Sequence, residues 1–198
     1  MGNIRIRGGN NMKKISILLI SLTVFVGGCN LFDKKEEKVA VNSNANTNAS
    51  LTATAKVIGA NNESYGNAYF EEEDNGVKVT LALSGLPAGT HGTHIHAVGK
   101  CEAPKFESAG SHFNPTNKEH GSLNPKGYHL GDLPNLEIGE DGTVDLTFLA
   151  EGVTLQKDAG NSLLNGEGTA LVIHESADDY KTDPAGNSGT RIACGVIQ

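Results

Sequence analysis

Apolar side chains alternate with small or polar side chains along three short segments of this chain. The segments cover residues 51–58, 77–83 and 144–148. Alternation with a period of two places every second side chain on the same face of a strand. Gly, Asn, Asp and Pro separate such runs, and we find no long stretch with the 3.6-residue period of a helix. The pattern therefore predicts an antiparallel β-sandwich or β-barrel over residues 51–198.

The strand pattern lapses in two long segments of this predicted domain. Residues 101–136 are rich in Gly, Pro and Asn, and residues 177–189 form a second irregular stretch. Loops of this length inside a compact domain usually carry function. We therefore expect two long functional loops on an all-β scaffold.

The N-terminal residues 1–28 have the layout of a signal peptide. Basic side chains precede an apolar run at residues 15–26, which ends in Gly27-Gly28-Cys29, and either Met1 or Met12 can start this signal. The run is shorter than the roughly 20 apolar residues that a membrane-spanning helix needs. Small residues before a cysteine resemble the bacterial lipobox, which predicts lipidation of Cys29. An ordinary secretory signal is the alternative.

Residues 29–50 continue as a polar, Asn-rich stretch that has too few apolar side chains to fold by itself. We expect a flexible tether between the lipidated Cys29 and the domain at residues 51–198. Without residues 1–28, which hold four basic and no acidic side chains, the formal charge moves from −7 to −11. A protein this acidic lacks the basic field that nucleic-acid binding requires. We therefore expect no nucleic-acid partner, and membrane contact only through the N-terminal lipid.

All seven histidines of the chain lie between residues 91 and 174. On a strand, His94 and His96 point to the same face while Ile95 points into the core. Such a pair alone is usually two surface histidines. Four further candidate ligands follow in the first long loop, however, where no strand face requires them, and a fifth comes later: His112, His120, His129, Asp132 and His174.

The number of these candidate ligands predicts two metal sites. Imidazole and carboxylate groups are good ligands for zinc and copper, and four of them fill a tetrahedral site. Seven candidates exceed the capacity of one site, whereas two four-coordinate sites need eight ligands. Seven residues suffice if one imidazole bridges both metals through its two ring nitrogens. The count does not identify the bridging histidine.

Only Cys101 and Cys194 remain as thiols if Cys29 carries lipid. Two cysteines in an exported chain predict one disulfide. Two free thiols, or two ligands for a soft metal, are the alternatives.

Five blocks of the chain resemble the copper,zinc superoxide dismutases and follow the order of that family. The blocks are HGTHIH from His91, AGSHFNP from Ala109, HLGDL from His129, VIHESADD from Val172 and GNSGTRIACG from Gly186. The resemblance covers about residues 52–198. It implies an antiparallel Greek-key β-barrel or sandwich of the immunoglobulin-like type, with one copper and one zinc ion per subunit.

The resemblance also implies how the ligands are divided. It assigns copper to His94, His96, His112 and His174, and zinc to His112, His120, His129 and Asp132. His112 is then the bridge, which in the family releases copper on reduction and takes up a proton. The histidine that matches His91 is not a ligand in the family.

Other matched residues acquire roles in the same way. Asp178 matches a carboxylate that joins a copper-side histidine to a zinc-side histidine. Arg191 matches the arginine that attracts superoxide into the copper channel, and Cys101 and Cys194 match the intrasubunit disulfide. Thr93 and Ser111 depart from the family pattern, and many relatives carry an aromatic residue at the first of these positions. Neither departure removes a ligand.

The implied activity is disproportionation of superoxide to oxygen and hydrogen peroxide. The signal-peptide layout and the lipobox predict a location at the outer face of a bacterial cell membrane, with a periplasmic or extracellular protein as the alternative. A non-enzymatic copper or zinc buffer on the same fold is the main rival, because fold alone does not determine activity. Arg191 and the complete copper set favour the enzyme. The sequence leaves a homodimer open.

Overall fold

The computed structural model describes residues 50–198, which form nine β-strands and one short 3-10 helix. The predicted signal peptide at residues 1–28, and the predicted tether up to residue 49, lie outside the described residues. The strands are β1 (Thr52–Gly59), β2 (Ser64–Glu73), β3 (Gly76–Leu83), β4 (Gly89–His91), β5 (Thr93–His96), β6 (Leu136–Ile138), β7 (Val144–Glu151), β8 (Thr169–His174) and β9 (Arg191–Ile197).

Seven strands form one antiparallel sheet in the order β5-β8-β9-β1-β2-β3-β7, and β4 pairs with β6 in a separate ribbon. Strands β1, β2 and β3 are successive neighbours along the chain and in the sheet. Long connections then bring β7 beside β3 and β9 beside β1, which is the connectivity of a Greek-key fold. The predicted all-β antiparallel architecture is therefore confirmed.

The alternating segments form strands with one buried face. In β1, Ala53, Ala55 and Val57 are buried, while the residues between them face outward. The same alternation buries every second residue of β3 from Val77 to Leu83. Strand β7 follows the pattern less closely because it ends the sheet. Its Leu146 pairs with a buried leucine of β3 yet stays 38% exposed.

Gly92 separates β4 from β5 and lets the chain approach the loop after β8. Its N–H donates to the carbonyl of Ser176, and its carbonyl accepts from the N–H of His174. A Cβ at this position would lie 2.9 Å from the Cβ of Ser188, so a larger residue has no room. The glycine therefore holds the end of β8 against the start of β5.

The two segments predicted as long loops lack strands. Residues 97–135 contain only the 3-10 helix Glu107–Ala109, and residues 175–190 connect β8 to β9 without a regular element. A disulfide joins Cys101 in the first loop to Cys194 in β9, which is the predicted pairing. No helix among residues 50–198 is long and apolar enough to cross a membrane.

Candidate metal centre

Strand β5 begins the site, because His94 and His96 point to one face of it and are both buried. The intervening Ile95 packs in the hydrophobic core, as predicted. Its backbone N–H donates to the carbonyl of Gly131, and its carbonyl accepts from the N–H of Phe113. A Cβ on Gly131 would collide with the carbonyl of Ile95. The first long loop therefore lies directly against β5 and carries its polar residues to the strand.

Four imidazoles form one cluster beside this strand. Their donor nitrogens lie within 4.8 Å of one another, and the four rings are buried: His94, His96, His112 and His174. The Nε2 atoms of His96 and His174 are 3.4 Å apart. The Nδ1 of His94 and the Nε2 of His112 are buried without any hydrogen-bond partner. Buried polar atoms normally have partners, so this cluster has the character of an all-nitrogen metal site.

Three imidazoles converge on one carboxylate oxygen beside the first cluster. The Oδ1 of Asp132 lies 2.9 Å, 3.0 Å and 3.1 Å from the Nδ1 atoms of His112, His120 and His129, respectively. The other oxygen, Oδ2, accepts the backbone N–H groups of Gly121 and His129. The Nδ1 of His120 lacks hydrogen-bond geometry toward Asp132 despite the short distance. A buried ring nitrogen that approaches a carboxylate oxygen without bonding to it suits a cation held between the two.

His112 belongs to both clusters. Its Nδ1 lies 2.9 Å from the Oδ1 of Asp132, and its Nε2 is buried without a hydrogen-bond partner. By the separations of donor atoms, the second cluster comprises His94, His112, His120 and Asp132. The family resemblance implies His129 in place of His94 in this second cluster. His129 nevertheless contacts Asp132 through Nδ1, so the structure brings all seven predicted ligands together.

Comparison with known proteins agrees with this centre. Residues 64–197 match the family model described as copper/zinc superoxide dismutase. The chain belongs to that family. A relative named superoxide dismutase [Cu-Zn] 1, from Aquifex aeolicus, is 47% identical over 149 residues, which are 75% of this chain and 88% of the relative.

Solved structures of related bacterial proteins have the same fold. The crystal structure of a SOD-like protein from Bacillus subtilis has 43% sequence identity and a TM-score of 0.71, and the match covers 73% of this chain and 97% of that one. The Cu/Zn superoxide dismutase from Brucella abortus has 30% identity and a TM-score of 0.61, with 75% and 100% covered. Membership of the copper/zinc superoxide dismutase family implies copper and zinc as the metals.

The ring nitrogens that face away from the clusters are anchored. The Nδ1 of His96 lies 2.9 Å from the carbonyl oxygen of Gly110, and the Nδ1 of His174 lies 3.2 Å from that of Gly189. A carbonyl only accepts, so each Nδ1 carries the proton and each Nε2 keeps a free lone pair. Such partners fix the orientation and tautomer of metal-binding imidazoles.

Asp178 connects His94 of the all-nitrogen cluster to His120 of the carboxylate cluster. Its Oδ2 lies 2.8 Å from the Nε2 of His94, and its Oδ1 lies 3.0 Å from the Nε2 of His120. The side chain is fully buried. The carboxylate therefore orients one ring of each cluster and leaves both Nδ1 atoms directed inward.

Burial is the largest influence on the pKa of three of the imidazoles. It lowers the pKa from 6.5 to about 2 for His96, about 3 for His174 and about 4 for His112. Neighbouring histidines lower these values further, whereas Asp132 partly offsets the effect at His112. These three imidazoles are consequently neutral at pH 7, which is the form that binds a metal.

The carboxylate cluster behaves differently. Burial opposes the charge of His120, but the carboxylates of Asp132 and Asp178 outweigh it and raise the pKa of that histidine to about 9. Burial would also raise the pKa of Asp132, yet the surrounding imidazoles hold it far below its usual range. A cation that enters here must therefore displace a proton from His120.

Arg191 starts β9 beside the all-nitrogen cluster. Its Nη1 and Nη2 donate to the carbonyls of Phe106 and Gly110, each at 2.6 Å. Arg191 also lines a cleft of about 720 Å³ together with Lys105, Glu107 and Thr190. No histidine of the two clusters lines this cleft, so the cleft lies beside the metal centre rather than over it.

His91 lies outside both clusters. Its Nδ1 is 2.8 Å from the main-chain carbonyl oxygen of His174, which agrees with the predicted structural role.

Several contacts of the centre carry no sequence signal, because they use main-chain carbonyls or distant polar residues. Examples are the carbonyls of Gly110 and Gly189, and Asp183, whose Oδ1 accepts the backbone N–H of His120 at 2.7 Å.

Proposed function

We propose that the protein is a superoxide dismutase, which converts two superoxide anions and two protons to oxygen and hydrogen peroxide. The observation that carries this proposal is that His112 belongs to both ligand clusters, with its Nδ1 against Asp132 and its Nε2 buried without a partner. A simple metal store has no need for a shared imidazole. Family membership supports the same activity.

The division of ligands follows from the chemistry of each cluster. We assign copper to the all-nitrogen cluster, namely His94, His96, His112 and His174, since imidazole ligands suit copper. We assign zinc to the cluster with a carboxylate, namely His112, His120, His129 and Asp132, since three nitrogens and one oxygen suit tetrahedral zinc. His94 then serves copper alone, because Asp178 occupies its Nε2 and only its Nδ1 is free.

The residues present fit both metals. Four buried ring nitrogens among residues 50–198 lack hydrogen-bond partners, and three of them belong to the ligand clusters: His94 Nδ1, His112 Nε2 and His120 Nδ1. The fourth, His91 Nε2, lies outside both clusters. Each of the three nitrogens in the clusters gains a partner when a metal binds. His96 and His174 need lose no proton to bind copper at pH 7, because burial keeps their pKa values low.

Copper supplies the redox change that lets one superoxide anion be oxidised and a second one be reduced. The protein supplies the geometry and a proton. His112 keeps Nδ1 on the zinc side, and its Nε2 can hold a proton and pass it to the bound anion. Asp178 prevents rotation of the rings of His94 and His120 while this occurs.

Arg191 is the proposed guide for the substrate. The mature chain carries a formal charge of −11 if residues 1–28, with their four basic side chains, are removed from the total of −7. An approaching anion is therefore repelled in general and needs a local positive charge near the copper. Arg191 supplies that charge, and the carbonyls of Phe106 and Gly110 hold it in place.

A reconstitution experiment tests this activity. The purified chain is loaded with copper and zinc, and superoxide consumption is measured with EDTA in the buffer, so that free copper does not contribute. Wild-type protein should consume superoxide catalytically. His174→Ala should abolish turnover by removing a copper ligand, whereas His129→Ala should mainly weaken zinc binding. A fully metallated but inactive wild-type protein would favour the metal-buffer alternative.

We also propose that the protein is exported and lipid-anchored through Cys29. The disulfide between Cys101 and Cys194 supports export, because structural disulfides persist in oxidising compartments. In a bacterial host, labelling with a fatty-acid analogue should modify the wild-type chain but not Cys29→Ser. Equal labelling of both chains, or labelling of neither, would reject the anchor.

A further inference from the structure

Asn135 forms three hydrogen bonds to the loop that contains Asp178. Its Nδ2 donates to the main-chain carbonyl of Asp178 at 2.9 Å, and its Oδ1 accepts the N–H of Asp178 at 2.8 Å. Its own N–H donates to the Oη of Tyr180 at 2.7 Å. The side chain of Asn135 thus bonds both the main-chain N–H and the main-chain carbonyl of Asp178, as a neighbouring strand would.

No other hydrogen bond among residues 50–198 is made by the main-chain N–H or carbonyl of Asp178. The carboxylate of Asp178 meanwhile has to reach His94 and His120 at the same time. Its Oδ1 also accepts the N–H of Tyr180. A Cβ on Gly186 would collide with this carboxylate, so the space around it permits little displacement.

Asn135 stands only three residues after Asp132, and the connecting segment is well anchored. Leu133 is 3% exposed and belongs to the hydrophobic core, and Pro134 follows it. Strand β6 starts at Leu136, directly after Asn135. The segment that supplies the carboxylate of the zinc cluster therefore also holds the second carboxylate of the centre in place.

We propose that Asn135 is a positioning residue of the metal centre, which acts through Asp178 to orient His94 and His120. This inference rests on the proposed copper and zinc sites. Without Asn135, the main chain of Asp178 loses its two hydrogen bonds, and the carboxylate is held only by its own contacts. The rings of one copper ligand and one zinc ligand then lose their common anchor.

Asn135→Asp tests the inference with almost no change in size. The new carboxylate still accepts the N–H of Asp178 but repels its carbonyl. Outer partners of metal ligands typically contribute 10–100-fold to metal affinity, so we expect zinc to leave about tenfold faster than from wild type. Zinc release is followed with a chromogenic chelator. We also expect an altered copper EPR spectrum in the loaded protein. Asn135→Leu removes all the side-chain hydrogen bonds and serves as the second variant.

Thr182→Val is the matched control. Thr182 lies in the same loop and donates its hydroxyl to Asp179 rather than to Asp178. It should leave zinc release and the EPR spectrum unchanged. A general loosening of the loop would instead change both variants alike and would overturn the inference.

A double-mutant cycle separates positioning from other roles. In an Asp178→Asn background, Asn135→Asp should cause no further acceleration of zinc release, because the carboxylate it positions is gone. A further tenfold acceleration would show that Asn135 acts independently of Asp178 and would overturn the inference. Unchanged release and EPR in Asn135→Asp and Asn135→Leu, with an active wild type, would overturn this inference alone. A wild type that binds neither metal would overturn the proposed function as well.

Discussion

Arg191 and His96 share one hydrogen-bond acceptor, the main-chain carbonyl of Gly110. The guanidinium Nη2 donates to this oxygen at 2.6 Å, and the Nδ1 of His96 lies 2.9 Å from it. The same peptide therefore holds the proposed guide of the substrate and orients a proposed copper ligand. A change at Arg191 affects the charge near the copper and can also alter the position of this carbonyl.

Two substitutions of Arg191 distinguish charge from geometry. Arg191→Ala should lower the rate of superoxide consumption by about tenfold or more, because local steering changes association rates by 10–10³. Both metals should stay bound, and the rate should depend less on salt. Arg191→Lys keeps the charge but cannot donate to the two carbonyls as a planar fork does. If Arg191→Ala consumed superoxide at the wild-type rate and with the wild-type salt dependence, the steering role would be rejected.

The disulfide should stabilise the domain strongly, because it closes a long segment of chain. Cys101 and Cys194 are 93 residues apart, and the chain-entropy model gives about 4–5 kcal/mol for a loop of that length, as an upper figure. We expect the double variant Cys101→Ser/Cys194→Ser to lose most of this free energy of unfolding. Urea unfolding of the metal-free protein measures the loss. A loss below about 1 kcal/mol would contradict the entropic account.

The same variant should also lower activity. Cys101 belongs to the loop that presents the carbonyls of Phe106 and Gly110 to Arg191. With the disulfide absent, these acceptors are less firmly placed. We expect reduced superoxide consumption at full metal occupancy, measured beside wild type under the same ionic strength.

The strands and the clustering of the candidate ligands could be predicted from the sequence because both follow from patterns along the chain. Alternation predicted β1, β3 and β7, and the spacing of His94 and His96 predicted a shared face. The disulfide was one of several options for two cysteines until the family resemblance implied it. Leu146 illustrates a limit, since its exposure depends on its place at the end of the sheet.

The contacts that orient the ligands could not be predicted from the sequence. Asn135 and Asp178 are 43 residues apart and meet through a side-chain amide and a peptide. An asparagine before a short strand resembles any turn residue. Likewise, the ring nitrogen that each histidine directs inward depends on carbonyls such as that of Gly110, whose position only the fold determines.

Acid should destabilise the metal-free protein between about pH 6.5 and pH 4. Burial lowers the pKa values of His96, His112 and His174 from 6.5 to about 2, 4 and 3 in the folded state. Below pH 6.5 the unfolded chain binds these protons and the folded chain does not, so the free energy of unfolding falls by about 1.4 kcal/mol per pH unit for each proton.

Thermal unfolding across this pH range measures the effect. His120 does not offset it there, because its raised pKa contributes stability fully below pH 6.5 and loses that contribution as pH rises through about 9. Loading with copper and zinc should move the acid transition to lower pH, since bound metals occupy the nitrogens that would be protonated. An apo protein with the same melting temperature at pH 7 and pH 4.5 would contradict this prediction.

Thr93→Val should stabilise the protein. Thr93 is completely buried next to His94, and its hydroxyl has no hydrogen-bond partner. An unsatisfied buried polar group costs about 1–3 kcal/mol, whereas valine has nearly the same shape and no polar atom. The main-chain pairing of Thr93 with Ile173 of β8 does not involve the hydroxyl, so the strand should be retained. We expect the free energy of unfolding of the metal-free protein to rise by about 1 kcal/mol, measured by urea unfolding beside Thr80→Val.

Thr80 is the matched control, because its hydroxyl is bonded to that of Thr147 on the sheet surface and its removal should not stabilise. If Thr93→Val were less stable than wild type, the hydroxyl would have to be bonded in solution, with a buried water as its partner.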